Sequence, residues 1–555
     1  MFPTKTILLR ILFTFLTYIH GTLCLWPMPS NLNAGSSLLR LSPEFSIVVD
    51  VQDAPSDLTQ AVQRATTYIQ QDKLQRLVVG RGATDAQSIA KAPGLSKLTL
   101  SLTGKRPTQS ISTEAISLLE DRSESYSLTV PADGSSATLT ADSTLGLFRG
   151  LTTFGQLWYQ YQNTIYAVQT PLTIENDTPA FPYRGFMLDT SRNFFPVSDI
   201  LRTMDAMSWV KTDTHSWPLF IESHPELSAE GAYTSDSQYS QADIQNITSY
   251  AAEEIDTPSH TGSISFSHPE LVACSDASPW STFASEPPAG QLRLASPAGI
   301  DLATSIFSSA ASIFPSKYIS TGGDELNANC YDDDAETQAE LKASGQTLEE
   351  ALDTFVQATQ STLTKVGKIP IISEEMVLDY NLTLSNDTIA IVWISSQDVP
   401  SVVQRGFRVI LGASDFLFLV LNVGLQDCGG GEWVGDDIAN SWCDPFKTWQ
   451  KIYSFDPFAN LTSEQTKLIV GGMTLLWTEQ SDPSNLDPIV WPRAAAAAEV
   501  FWTGAQLPTG TPLNSSEALP RLHDARYRFV QRGVKAIALQ PQWCALRPGA
   551  CDLNA

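Results

Sequence analysis

The sequence predicts an α/β protein in two parts, a smaller N-terminal α/β domain and a (β/α)8 TIM barrel that is incomplete at its second and third strands. Two observations lead to this prediction. Up to residue 178, strand-like runs are separated by turn signals. From residue 183 onward, short apolar runs that end in polar or acidic residues alternate with helical stretches.

Residues 1–24 have the pattern of a secretory signal peptide. Lys5 and Arg10 precede the apolar run Ile11–Ile19, which ends near small residues. The run is too short to span a bilayer, so a membrane anchor is not expected. We therefore expect a secreted protein whose mature form begins near Leu23–Leu25.

Residues 25–178 are predicted to form the smaller domain. Its strand-like runs are Phe45–Val51, Leu77–Val79, Leu98–Thr103, Tyr126–Val130 and Ala137–Ala141, followed by a helical stretch at Leu145–Tyr159. No candidate catalytic constellation occurs here, which favours an accessory role.

Residues 179–555 are predicted to form the barrel. Its strand-like runs are Arg184–Asp189, Tyr318–Glu325, Ile369–Glu375, Ile389–Ser395, Phe407–Ser414 and Ile469–Glu479, and helices are predicted at Ser198–Val210 (with Ser198 as cap), Leu348–Val366 and Pro492–Trp502. Parallel strands that end in carboxylates are typical of a barrel, because its active site lies at the carboxyl ends of the strands.

Two strands of this barrel have almost no sequence to form them. After the first helix, Lys211–His215 leads directly to Ser216–Leu219, and the helical run Tyr250–Glu253 leads directly to Glu254. A strand needs about five residues to cross the barrel layer. These gaps predict a poorly folding barrel.

The charge balance excludes some partners. The chain has 60 acidic and 34 basic residues, a net charge of -26. Nucleic acids and anionic membranes are bound by basic patches, so neither is an expected partner. The six histidines are scattered and no Cys/His cluster has zinc spacing, so neither a metal nor another cofactor is expected.

Seven cysteines and six glycosylation sequons agree with secretion. Cys24 lies at the signal boundary, and the other six cysteines allow fifteen disulfide connectivities. Proximity favours Cys428 with Cys443 and Cys544 with Cys551, which leaves Cys274 with Cys330. The sequons begin at Asn176, Asn246, Asn381, Asn386, Asn460 and Asn514.

The sharpest chemical signal is Gly322-Gly323-Asp324-Glu325, which follows an apolar run. Adjacent carboxylates push their pKa values apart, so that one remains protonated as a general acid while the other is ionised. Glycosidic cleavage needs such an acid. The alternative is a solvated acidic pair in a loop, but the glycines and the strand before them favour a site.

Four segments in order carry a family resemblance. They are Tyr183–Arg192 (YRGFMLDTSR), Glu254–Thr261 (EIDTPSHT), the Gly-Gly-Asp-Glu element and Trp477-Thr478-Glu479. Together, from about Trp26 to the C-terminus, the chain resembles glycoside hydrolase family 20, the β-N-acetylhexosaminidases, and most closely the secreted fungal type.

The resemblance implies a substrate-assisted retaining mechanism, in which the acetamido oxygen of the substrate is the nucleophile. Glu325 would be the general acid/base and Asp324 would stabilise the acetamido group. The implied substrate-binding residues are Arg184, His260, Trp393, Asp427, Trp477 and Glu479. For Arg184 the alternative is a salt bridge at the barrel rim, for each tryptophan it is core packing, and for His260 it is a buried structural role.

The chain also departs from the family pattern. Ser373 precedes Glu374-Glu375 where the family has a pocket tryptophan, and Phe418 occupies the place of a tyrosine. Seven residues, Val420–Gln426, separate this phenylalanine segment from Asp427.

The leading hypothesis is an exo-acting hydrolase of oligosaccharides or glycoconjugates that end in N-acetylhexosamine. The alternative is a catalytically impaired relative that binds N-acetyl sugars weakly. An endo-acting chitinase is less favoured, because its acidic strand motif is not found. The preference between glucosamine and galactosamine and the oligomeric state stay open, with a homodimer as one candidate.

Overall fold

Two β-sheets that follow one another along the chain form the frame of the protein. The computed structural model describes residues 24–104, 106–212, 215–216, 221–251, 255–256, 261–275, 277–285, 287–419 and 447–552. The leader predicted at residues 1–24 lies outside these ranges except for Cys24.

The first sheet has six strands in the order β1-β2-β4-β3-β6-β5, with an additional pairing of β1 with β6. The strands are β1 (Leu32–Asp50), β2 (Gly94–Leu102), β3 (Tyr126–Val130), β4 (Ala137–Ala141), β5 (Trp158–Tyr161) and β6 (Thr164–Asp177). The helices of this part are α1 (Ser56–Gln71), α2 (Ala86–Lys91), α3 (Ile111–Ala115) and α4 (Thr144–Gly155), with a 3-10 turn at Ala83–Asp85.

Local sequence explains the elements of this part. Ser143 caps α4 by accepting a hydrogen bond from the backbone N–H of Gly146 at 2.9 Å. Leu147 and Leu151, one turn apart on α4, are buried in the core of the first sheet. The strand predicted at Leu77–Val79 does not form. Leu77 is buried, but it lies in irregular chain. The apolar run therefore reflects burial and not strand pairing.

The second sheet is parallel and has six hydrogen-bonded strands in the order β12-β13-β14-β15-β16-β7. The barrel strands are β7 (Tyr183–Leu188), β8 (His215–Ser216), β9 (Ile255–Asp256), β12 (Tyr318–Ser320), β13 (Ile369–Ser373), β14 (Ile389–Val392), β15 (Arg408–Leu411) and β16 (Ile469–Leu476). A small hairpin, β10 (Val272–Ala273) and β11 (Gln291–Leu292), lies outside this ring.

The second and third barrel strands are represented by β8 and β9, which hold two residues each and pair in parallel with one another. This pair stands between the two ends of the six-stranded sheet, because β8 contacts β7 and β9 contacts β12. The described strands therefore curl into a barrel whose ladder is short where the sequence has least room for strands.

Sixteen described helices belong to this second part of the chain. They are α5 (Val197–Trp209), α6 (Pro225–Gly231), α7 (Gln241–Ala251), α8 (Thr261–Ser267), α9 (Pro297–Ile313), α10 (Ala328–Asp333), α11 (Ala335–Ser344), α12 (Leu348–Thr364), α13 (Glu375–Leu378), α14 (Val399–Gln404), α15 (Ser414–Leu417), α16 (Trp449–Tyr453), α17 (Leu486–Val490), α18 (Arg493–Thr503), α19 (Ser515–Gln531) and α20 (Gln542–Ala545), with 3-10 turns at Pro269–Leu271, Trp280–Thr282 and Gln465–Leu468. No helix of the described ranges is long and apolar enough to cross a membrane.

The predicted helices match α5, α12 and α18 to within two residues at each end. The predicted cap at Ser198 is wrong, because α5 begins at Val197 and its N-cap, Pro196, makes no side-chain cap bond. Helix α18 packs on β7 and β16. A Cβ on Gly472 would lie 2.2 Å from the ring of Phe501, so a glycine in β16 lets this helix approach closely.

The structure joins Cys274 to Cys330 and Cys544 to Cys551, which confirms two of the three predicted pairs. Cys428 and Cys443 lie outside the described residues.

A buried ion cluster joins the two sheets at the amino-terminal mouth of the barrel. The Glu124 carboxylate, from the first part of the chain, accepts hydrogen bonds from Arg184 Nη2 at 2.6 Å and Arg149 Nε at 2.7 Å. Arg122 Nε lies 3.6 Å from Glu124 Oε1, and the side chains of the glutamate and the three arginines are each at most 3% exposed. Burial alone would raise the pKa of Glu124, but the three guanidinium groups outweigh it and hold the pKa well below its ordinary value.

Replacing Glu124 with glutamine should destabilise the protein by ~3–5 kcal/mol, because three buried cations lose their carboxylate. Unfolding in urea at pH 7 measures this free energy. The exposed Glu120 provides the matched control, and Glu120→Gln should change it by less than ~0.5 kcal/mol.

Because the pKa of Glu124 is lowered by folding, its stabilisation is complete above about pH 4.3 and declines as the pH falls further. The Glu124→Gln variant should lack this part of the acid dependence, and equal unfolding of both variants would contradict the prediction.

Candidate active site

The carboxyl ends of the barrel strands bring most of the described candidate residues to one edge. Asp189 follows β7, Asp324 and Glu325 follow β12, Glu374 and Glu375 follow β13, Trp393 follows β14, and Trp477 and Glu479 follow β16. The apolar bodies of these strands fill the barrel interior, so the side chains just beyond them line its open mouth.

Two glycines shape the turn after β12. Gly322 and Gly323 have φ angles of 65° and 107°, in the left-handed region that favours glycine. A Cβ on Gly323 would lie 2.4 Å from Cγ of Met376, so a larger residue would displace that side chain. Glu325 also has a positive φ, 58°, although it carries a Cβ. Such a conformation costs roughly 1–3 kcal/mol and persists where neighbouring contacts hold it.

Asp324 and Glu325 each contact a residue at the carboxyl end of β13. The hydroxyl of Ser373 donates to Asp324 Oδ1 at 3.2 Å. The backbone N–H of Glu325 donates to Glu375 Oε1 at 3.3 Å. Asp324 is exposed and Glu325 partly exposed, so both carboxylates are accessible from the barrel mouth. The residue that replaces the expected pocket tryptophan, Ser373, thus supplies a hydrogen bond to one of the two candidate catalytic groups.

Glu374 is buried beneath this edge. Its Oε1 accepts hydrogen bonds from the backbone N–H groups of Trp393 at 2.8 Å and Ile394 at 2.6 Å. Burial raises the pKa of Glu374 to about 8, with a contribution from the nearby Asp398 and Glu375 carboxylates and an opposing one from the two N–H donors. At neutral or mildly acidic pH this side chain is therefore mainly protonated.

Glu375 connects two parts of the site. Besides accepting from the Glu325 backbone, it accepts a hydrogen bond from the indole N–H of Trp393 at its Oε2, at 2.9 Å. Burial raises its pKa, and the negative charge of Asp324 raises it further, while the hydrogen bonds it accepts lower it. The side chain is 8% exposed.

Trp393 presents a flat apolar surface at the edge. Its ring stacks on that of Phe418 with centroids 6.4 Å apart and an interplanar angle of 8°. Phe418 is buried and forms a bridge to Leu475 of β16. Where the family pattern has a tyrosine hydroxyl, this chain has an aromatic face that supports the tryptophan.

Arg192 lies opposite, between β7 and β16. Its guanidinium group is 4.9 Å above the ring of Trp477. Its Nε is 3.8 Å from Glu479 Oε1 and its Nη1 is 3.5 Å from Asp189 Oδ2. Asp189 Oδ2 also accepts from the backbone N–H and the hydroxyl of Thr478, at 3.2 and 2.9 Å. A cation, a carboxylate and an indole face therefore converge across the same barrel mouth from Asp324 and Glu325, a set that suits the hydroxyls and apolar face of a sugar ring.

Arg184 does not belong to this set, which corrects the role that the resemblance implies for it. It is the second residue of β7, at the opposite mouth of the barrel, and its side chain is 0% exposed. Its guanidinium group is occupied by Glu124 and by the carbonyl oxygens of Lys211 at 2.9 Å and Phe181 at 2.8 Å. The structure shows the alternative, a salt bridge at the barrel rim.

Counting residues along β7 would have found Arg192 instead. At ~3.3 Å per residue, the four steps from Arg184 to Leu188, the last residue of the strand, span about 13 Å. Arg192 is the arginine that follows the carboxyl end, where a barrel places its chemistry. The segment Tyr183–Arg192 contains both arginines, and only Arg192 lies at the mouth that holds Asp324 and Glu325.

Two predicted site residues, His260 and Asp427, lie outside the described residues. Within the described ranges, no three His, Cys, Asp or Glu side chains are arranged to hold a metal ion.

Comparisons with known proteins agree with the architecture. Residues 181–505 match the family model for glycosyl hydrolase family 20, catalytic domain, and residues 25–157 match the model described as beta-acetyl hexosaminidase like. The exo beta-N-acetylglucosaminidase of family 20 from Vibrio harveyi, solved with N-acetylglucosamine, gives a TM-score of 0.70 at 22% identity, over 93% of this chain and 78% of that one. This likeness concerns the fold, and it confirms the predicted barrel with a preceding α/β domain.

Relatives of higher identity agree with the family. A beta-hexosaminidase of Arthroderma benhamiae is 34% identical over 463 residues, which cover 78% of this chain and 74% of that protein. A chitooligosaccharidolytic beta-N-acetylglucosaminidase of Bombyx mori is 33% identical over 565 residues, which cover 95% and 89%. The chain therefore belongs to glycosyl hydrolase family 20 and is a glycosidase.

Proposed function

We propose that this enzyme hydrolyses terminal, non-reducing N-acetyl-D-hexosamine residues of β-linked oligosaccharides and glycoconjugates by a substrate-assisted retaining mechanism. The observation that carries the proposal is the accessible Asp324-Glu325 pair at the barrel mouth, opposite Arg192, Trp477 and Glu479. Family membership gives the substrate class.

In the first step, the acetamido oxygen of the bound sugar attacks the anomeric carbon as the glycosidic bond breaks. Glu325 transfers its proton to the leaving oxygen, and the sugar forms an oxazolinium ion. Asp324, held by the hydrogen bond from Ser373, accepts the acetamido N–H and stabilises the positive charge that develops there. In the second step water attacks the anomeric carbon and gives its proton to Glu325, which restores the acetamido group and the enzyme.

The opposite wall positions the sugar. Arg192 and Glu479 supply a donor fork and an acceptor for ring hydroxyls, and Trp393 and Trp477 cover its apolar faces. The impaired relative remains the alternative function, and the comparisons give it no support. It would be indicated by a folded wild-type protein without hydrolytic activity.

We also propose that the protein is secreted, on the basis of its N-terminal pattern and its sequons. All six sequon asparagines are exposed, which agrees with glycosylation at the surface. A homodimer stays a prediction.

Glu325→Gln should lower kcat by ~10²–10⁴-fold on substrates with poor leaving groups, because the proton donor is lost. Asp324→Asn should also lower kcat, because the developing charge loses its counter-ion. Hydrolysis of an N-acetylglucosamine disaccharide measures both, and Glu464→Gln, in an exposed pair with Lys467, is the matched control. Replacing the substrate acetamido group by a hydroxyl should abolish cleavage. Rapid cleavage of that glucoside would exclude the substrate-assisted route.

The two arginines should differ in what they affect. Arg192→Met should lower kcat/KM by ~10–100-fold with little change in the unfolding temperature, because it removes charge-assisted hydrogen bonds to the sugar. Arg184→Met should lower the unfolding temperature, because Glu124 stays buried without its closest cation. Initial rates and thermal unfolding of both variants separate the two. A stable Arg184→Met variant with weakened substrate binding would return the binding role to Arg184.

A further inference from the structure

The tripeptide Ser373-Glu374-Glu375 reaches three different parts of the candidate site. Ser373 contacts Asp324, Glu374 contacts the backbone at Trp393, and Glu375 contacts both the Glu325 backbone and the Trp393 indole. The proposed mechanism uses neither Glu374 nor Glu375. Their burial and their contacts nevertheless place them directly beneath the reacting groups.

Glu375 is the link between two strand ends. One of its oxygens accepts a hydrogen bond from Glu325 in the turn after β12, and the other accepts one from Trp393, the residue after β14. Glu325 and Trp393 are 68 residues apart in the sequence. Without this carboxylate, neither the Glu325 N–H nor the indole N–H keeps the partner that the structure gives it. The carboxylate thus fixes the distance between the acid/base backbone and one wall of the pocket.

Stability alone does not account for a carboxylate at this position. Glu375 is 8% exposed and lies near the Asp324 carboxylate, and its two donors among the described residues, the Glu325 N–H and the Trp393 indole N–H, are both neutral. Burying a negative charge close to another negative charge is unfavourable. Groups of this kind occur where a site needs them rather than where a fold does.

We propose that Glu375 is a positioning residue for the reaction. Its carboxylate holds the strained backbone of Glu325 and the indole of Trp393 in one rigid unit, so that the proton donor and the sugar-facing wall keep a fixed relation. This inference rests on the proposed function, since it assigns Glu375 to the same site.

The bridge depends on two acceptor oxygens. In Glu375→Gln the side chain keeps its shape, but its amide NH2 faces one of the two N–H donors and cannot accept from it. The Glu325 turn then loses its fixed place, and proton transfer to the leaving group becomes less well aligned. We expect kcat to fall by ~10–100-fold on a disaccharide with a poor leaving group and by less than ~3-fold on an aryl glycoside that needs no acid, with KM nearly unchanged.

Trp393→Phe tests the same link from the other side. It removes the indole N–H that donates to Glu375 and keeps an aromatic ring. If the two residues act through one bridge, the double variant should lose much less kcat than the product of the two single losses. Thermal unfolding of each variant shows whether the barrel is intact, and Glu464→Gln serves as the surface control.

The outcomes are distinct. A folded Glu375→Gln variant with wild-type kcat, or with the same loss on both leaving groups, overturns the positioning role. So do independent, multiplicative losses in the double variant. Should Glu375→Gln not fold, Trp393→Phe alone decides, because an unaltered dependence on the leaving group in that variant overturns the bridge. Absence of hydrolysis by the wild-type protein would instead overturn the proposed function.

Discussion

The Glu124 carboxylate, buried among three arginines, is the contact on which the barrel geometry depends. It joins the first sheet to Arg184 at the start of β7, and Arg184 in turn binds the carbonyl of Lys211 after α5. These buried ion pairs close the amino-terminal mouth, and breaking them would cost a large free energy because an unpaired charge would stay buried. Because β7 is fixed at this end, the position of Arg192 just beyond its other end is fixed as well. The arginine within β7 therefore has a structural role, while the arginine beyond its carboxyl end is the one proposed to bind the sugar.

At the open mouth the contacts are of a different kind. There, hydrogen bonds between successive strand ends set the geometry, from Ser373 to Asp324 and from the Glu325 backbone and the Trp393 indole to Glu375. Among these residues Asp324 is exposed and Glu325 and Trp393 are partly exposed, so a substrate can replace the water that contacts them. The ion cluster at the amino-terminal mouth stabilises the barrel. At the carboxyl-end mouth, the barrel holds close together charged groups that would otherwise separate.

The sequence predicted the barrel, the preceding α/β domain and the Asp324-Glu325 edge, because strand periodicity and the glycine turn are local signals. It assigned the sugar-binding role to Arg184 because a motif names residue types but does not say where a strand ends. Leu77 shows a similar limit, since burial in irregular chain and burial in a strand leave the same apolar signal. The bridge through Glu375 joins residues from three strand ends, and no local pattern indicates such a contact.

Ser373 and Phe418 show why a departure from a family pattern need not mean a loss. Read from the sequence, each removes something, a tryptophan wall or a hydroxyl. In the structure each contributes a contact, a hydrogen bond to Asp324 from one and a stacked ring behind Trp393 from the other. The stacked ring limits the motion of the wall that Glu375 anchors. A substitution at a site must therefore be judged by the contacts that the new side chain makes, and here those contacts support the same two groups, the Asp324 carboxylate and the Trp393 indole, that the proposed reaction needs in place.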